Sequence, residues 1–156
     1  MDFSRRFLYV DNVRGVRDLG GIPTKFGGYI AYDKIIRGSE LDGPANDSNR
    51  IIASSTALSI LRSMNITLDM DLRTDEEARF AIDSPLGMPT KYDRISFITF
   101  QNINTLTGEE KSKIKTAFEK VANEVIDGGK VYIHCVWGYH RCGFLCTLIE
   151  GILGAT

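Results

Sequence analysis

The stretch from Lys130 to Gly143 constrains the fold of this chain more than any other. Val131, Tyr132 and Ile133 make a β-branched and aromatic run of strand length, apolar enough to be buried on both faces. A strand of that kind belongs inside a mostly parallel sheet covered by helices. After His134 and Cys135 the chain turns through Gly138, and a new apolar pattern at helical spacing begins near Arg141. A strand, a tight loop and a helix start so close together direct backbone N–H groups and the positive end of a helix dipole into one concavity, a natural seat for a phosphate-like dianion. Cys135 at its mouth adds a nucleophile, and Arg141 at its far end adds a bidentate clamp for an oxyanion.

The remaining segments supply neighbours for that strand. Residues 1 to 50 are rich in turn residues, with Ile22 to Thr24 and Tyr29 to Ile30 reading as a small hairpin and Ile35 to Arg37 as a short strand of a lid or edge layer. Ser54 to Met64 has helical spacing, with Ser54, Ser55 or Thr56 as its cap. Thr67 to Arg73 alternates as a strand, and a helix start is predicted at Thr74, with Asp75, Glu76 and Glu77 near the positive end of its dipole. Arg94 to Phe100 reads as another strand. Thr107 to Ile126 is the longest helical pattern, with Thr107 and Glu110 forming a capping box and Gly128-Gly129 stopping it. The expected fold is α/β: a central, mostly parallel sheet of about four to five strands flanked by helices, forming one domain over residues 1–156.

A formal net charge of −1 with interspersed signs excludes a nucleic-acid stripe or a polybasic membrane patch. No apolar run is long enough to span a bilayer, and Met1 to Val10 does not read as a signal peptide, so a cytoplasmic location is expected. Cys135, Cys142 and Cys146 are too clustered for a disulfide framework and point to local reactivity or burial.

His134-Cys135 followed by Arg141 resembles the His-Cys-x5-Arg phosphate-binding loop of the cysteine-dependent protein tyrosine phosphatases. Arg17-Asp18-Leu19-Gly20-Gly21, Arg37-Gly38-Ser39-Glu40-Leu41 and Asp71-Leu72-Arg73-Thr74-Asp75-Glu76-Glu77 resemble segments of its microbial tyrosine and dual-specificity branch, in the same order. The resemblance implies a phosphatase-like fold and metal-independent, cofactor-free hydrolysis of a phosphate monoester through a phosphocysteine on Cys135. In that reading the loop Val136, Trp137, Gly138, Tyr139, His140 and Arg141 binds phosphate, and His134 orients the nucleophile. The partner is a phosphorylated protein or a small aryl phosphate, with neither nucleic acid nor membrane involved. It also implies C-terminal helices missing here, which would leave Leu148, Ile149, Ile152 and Leu153 exposed or covered by a second copy in a homodimer.

Several positions depart from the family pattern. Tyr139 and His140 replace a Lys-Asp pair common in this branch, and the aromatic loop favours an aryl phosphate unless Trp137 merely packs against the lid. Cys142 stands where Ser or Thr usually donates to the thiolate, and it is placed to form a disulfide with Cys135 under oxidation. No acid lies in Gln101 to Thr107, leaving His140, Asp71 and Asp83 as candidate proton donors. Asp18 and Arg73 are expected to join lid and sheet by hydrogen bonds. Two other classes compete: a phosphate-binding pseudophosphatase, and a zinc site built from His134, Cys135, His140, Cys142 and Cys146, which lacks paired Cys-x2-Cys knuckles.

Overall fold

The computed structural model describes residues 3–97 and 105–156. Strands β1 (Arg17–Asp18), β2 (Ile35–Ser39), β3 (Leu68–Asp71), β4 (Lys91–Arg94) and β5 (Val131–Cys135) form one sheet in the spatial order β1-β2-β5-β3-β4. β1 is antiparallel to β2; β2, β5, β3 and β4 are mutually parallel. Helices α1 (Ser55–Ser63), α2 (Gly108–Ile126) and α3 (His140–Ile152) complete the described elements. The fold is the expected α/β arrangement.

Local chemistry sets the helix starts. Ser54 caps α1 by accepting from the Ala57 N–H, and Thr107 and Glu110 form both halves of the capping box that opens α2. Every residue of β5 is buried, as expected of a central parallel strand. Its side chains alternate between two apolar layers. Val131 and Ile133 pack with Met70, Ala117, Val121 and Leu145, whereas Tyr132 joins Val10, Val13, Ile36, Ala57 and Leu61.

Four details differ from expectation. The strand at Ile35 is not an edge element, because β2 lies directly beside β5. The strand predicted from Arg94 lies earlier, at Lys91–Arg94, and stops where its partner β3 stops; residues 98–100 fall outside the described residues. Thr74 and Glu77 form a reciprocal box, with Thr74 N–H to Glu77 Oε2 at 2.8 Å and Glu77 N–H to Thr74 Oγ1 at 3.2 Å, yet residues 75–80 form turns rather than a helix. Arginines claim the carbonyls a helix would use: Arg50 donates to Glu77 O and Arg94 to Ala78 O. Of the four C-terminal apolar residues, Ile149 is buried and Leu148 packs against the core, so exposure is confined to Ile152 and Leu153. The small hairpin is present as a Pro23–Tyr29 bridge with Ile30 N–H donating to Ile22 O.

Candidate active site

Parallel pairing places Ser39 opposite Cys135 and Asp71 opposite His134, so three strands end together at one edge of the sheet. The carboxyl ends of parallel strands are where open α/β sheets hold ligands. From there the chain passes through residues 136–139 into α3 at His140. Gly138 has φ +73°, and a Cβ on it would come within 2.5 Å of the Gly38 carbonyl carbon, so the loop presses onto β2 at a point only glycine allows. Arg37 Nη2 donates to Gly138 O at 3.1 Å, and the Glu40 N–H donates to Val136 O at 3.3 Å. The first N–H groups of α3 have no intrahelical acceptor and open toward the same loop.

Cys135 is buried at the loop's base, and its pKa falls to about 5. The Cys142 side chain donates to its sulfur and is the largest cause; burial opposes, while the Cys142 and Gly138 N–H groups and the Arg141 charge assist. Cys142 itself is pushed well up by burial and by the neighbouring Cys135 sulfur. Its Sγ also lies 3.8 Å from Gly38 O, so one weak S–H serves two acceptors. On the phosphocysteine mechanism that the family resemblance implies, a Cys142→Ser variant should release phosphate faster, by roughly fivefold, because a hydroxyl stabilises a departing thiolate better than a thiol does. Pre-steady-state measurement of the second phase would check this; an unchanged or slower phase counts against it. All three cysteines are free thiols, and burial raises Cys146 to about 12, consistent with the burial expected for it.

Arg141 is fixed by a partner that sequence reasoning missed. Its Nη1 donates to Leu72 O at 3.0 Å and to Glu77 Oε2 at 2.6 Å, and its Nη2 donates to Glu77 Oε1 at 2.9 Å. This bidentate pair leaves Nε–H and one Nη2–H without a protein acceptor among the described residues, in the geometry that grips a phosphate edge. Burial opposes the Glu77 charge, yet hydrogen bonds from Arg141 and Thr74 hold its carboxyl below the usual range. The signal is present in Asp71-Leu72-Arg73-x-x-x-Glu77, but from sequence Glu77 reads only as a helix-dipole partner.

His134 lies behind the nucleophile, fully buried between two carboxylates: Nε2 is 3.2 Å from Asp69 Oδ1 and Nδ1 is 3.8 Å from Asp71 Oδ1. The contacts are ionic rather than aligned hydrogen bonds. Burial disfavours the imidazolium, but Asp71 and Asp69 outweigh it and raise the pKa to about 9. Asp71, expected as a candidate proton donor, instead accepts from Arg73 Nε and Nη2, the Arg73 N–H and the Tyr92 hydroxyl. Burial opposes its charge, but His134, Arg73 and Tyr92 hold its carboxyl well below the usual range, so it carries no proton to give. Arg73 also reaches Glu40 and Asp42, and Asp18 accepts from the Gly20 and Asp33 N–H groups; both tie segments together as expected.

At the rim, His140 is exposed at the first position of α3, and Asp83 is exposed beside Ser84 rather than in the loop. Trp137 is 37% and Tyr139 46% exposed, and Arg14 stacks on Trp137. The five residues of the zinc alternative do not converge: His134 lies between two aspartates, His140 is at the exposed rim, and no group of three potential metal ligands occurs among the described residues.

Comparison with known proteins agrees with this geometry. Residues 8–156 match the profile of the tyrosine phosphatase family, and the chain belongs to that family. Among solved structures it is similar to TpbA of P. aeruginosa, at 11% identity and a TM-score of 0.51, over 88% of this chain and 67% of that one. That likeness is one of fold. No curated protein shows significant sequence similarity. Among the described residues, no helix is long and apolar enough to cross a membrane.

Proposed function

We propose that the protein hydrolyses aryl phosphate monoesters, phosphotyrosine foremost, through a phosphocysteine on Cys135. The observation that carries this reading is the thiol lowered to about 5 beneath a loop whose arginine is already held by Glu77. At neutral pH the Cys135 sulfur is a thiolate. It attacks phosphorus as the bond to the leaving oxygen breaks; water then attacks the phosphocysteine, the S–P bond breaks, and the thiolate returns. Loop N–H groups and the free edge of Arg141 stabilise the charge spread over the equatorial oxygens. Hydrolysis of p-nitrophenyl phosphate in the presence of a chelator tests this, with the intermediate trapped on Cys135 by rapid quenching. Turnover with no label on Cys135 would refute the mechanism.

With Asp71 engaged elsewhere, His140, exposed at the first position of α3, is the proton donor of this proposal. Replacing His140 by alanine should slow poor leaving groups such as phosphotyrosine by about 10²-fold and activated nitrophenyl esters far less. Equal losses on both would exclude the role. The second reading, a phosphate-binding protein with little turnover, draws on the same engagement of Asp71; it requires no hydrolysis of either ester. Dual specificity toward alkyl phosphates needs the donor most, so it stands or falls with His140. Three free, buried thiols fit a reducing, cytoplasmic setting.

A further inference from the structure

The N-terminal segment does more than brace the phosphate loop. Arg14 is locked to the strand beside the nucleophile: its N–H donates to Ser39 Oγ at 2.9 Å, and its carbonyl accepts from the Ser39 N–H at 3.0 Å. Ser39 pairs in register with Cys135, so the backbone of Arg14 is tied to the strand that neighbours the sulfur. Its guanidinium lies 4.3 Å over the Trp137 ring. Stacking occupies the face of a guanidinium and leaves its N–H edge for an in-plane acceptor. The next residue, Gly15, has φ +62°, and a Cβ on it would sit 3.2 Å from the Tyr139 ring, so both loop aromatics rest on residues 14 and 15.

Arg14 and Gly15 also line a cavity of about 440 Å³ bordered by Phe7, Tyr9 and Arg17, with Arg17 stacked 5.0 Å over Phe7. Among the described residues neither Arg14 nor Arg17 makes an ion pair, whereas Arg50, Arg73 and Arg141 all engage carboxylates. Two guanidiniums without a carboxylate partner among the described residues thus border a groove whose Arg14 and Gly15 lie against the loop aromatics Trp137 and Tyr139.

Resting on the phosphatase reading, we propose that this groove is a second anion subsite, taking a carboxylate or phosphate group near the phosphotyrosine of a peptide. The overall charge of −1 and the two arginines at this groove among the described residues match a local acidic group rather than a polyanion. The occupant is therefore an acidic phosphopeptide.

Binding to Cys135→Ser protein separates the subsite from the chemistry. Fluorescent phosphotyrosine peptides with flanking aspartates, with a second phosphoresidue, or with neutral flanks would be titrated against it at low and high salt. Either anionic peptide should bind about tenfold tighter than the neutral one, and the advantage should shrink with salt. The arm that gains more identifies carboxylate or phosphate as the occupant. Arg14→Gln and Arg17→Gln, each made in the Cys135→Ser background, should reduce that advantage, Arg14→Gln the more. Equal binding of all peptides, no binding of any, or an advantage that survives both substitutions would overturn the subsite. Turnover of p-nitrophenyl phosphate by the unsubstituted protein is read separately: its absence removes the phosphatase reading, while a flank preference in binding still upholds the groove.

Discussion

Cys135→Ser protein should lose aryl phosphate hydrolysis by ~10⁴-fold or more while still binding phosphate. A serine hydroxyl keeps its proton at neutral pH, so none of the stabilisation that lowers the cysteine to about 5 can be used for attack. The same depression fixes the acid side of the pH profile. Cys135 is mostly thiolate above about 5 and is protonated below it, so kcat/KM toward a substrate already in its reactive form should rise between about pH 4 and 6 and then level. A thiol without these neighbours would place that limb near ~8.5. Steady-state rates with p-nitrophenyl phosphate, corrected for the ionisation of the substrate itself, give the limb directly. A limb at the higher position would show that the Cys142, Gly138 and Arg141 contacts do not activate the sulfur.

Arg141→Lys should reduce kcat by ~10³-fold, the scale seen when a charge-stabilising group is removed from an acyl- or phosphoryl-transfer site. A lysine keeps the charge but cannot hold Glu77 with two nitrogens while presenting another edge to phosphate. Glu77→Gln should reproduce part of that loss, because a neutral amide aligns the guanidinium less firmly. The two substitutions share one interaction, so their effects should be far from additive. Kinetics on the two single variants and the double variant would measure the coupling. Fully additive losses would mean that Glu77 does not act through Arg141.

What was legible in the sequence, and what was not, follows the range of the interactions. The buried strand before Cys135, the loop glycine and the capping box at Thr107 depend on residues adjacent in the chain, and each was found where its neighbours place it. Thr74 and Glu77 carried an equally local helix signal that tertiary contacts overrode, since Arg50, Arg94 and Arg141 come from distant segments to claim that turn. Asp71 misled for a similar reason. Its place at a strand end was readable, but its enclosure by Arg73, Tyr92 and His134 depends on sheet register. The span of β4 likewise depends on where β3 ends.

The position of β5 has a consequence for how the molecule comes into being. It follows all four of its sheet companions in sequence yet lies between β2 and β3 in space. While a ribosome is still extending the chain, those strands have no central partner, and their facing edges stand open to any other extended segment. Cys135 is synthesised at the end of that inserting strand, before Arg141 and Cys142 exist to draw its proton away. The newborn thiol lacks the neighbours that lower its pKa in the folded chain, and it gains them only once β5 has paired between β2 and β3 and α3 has formed behind it.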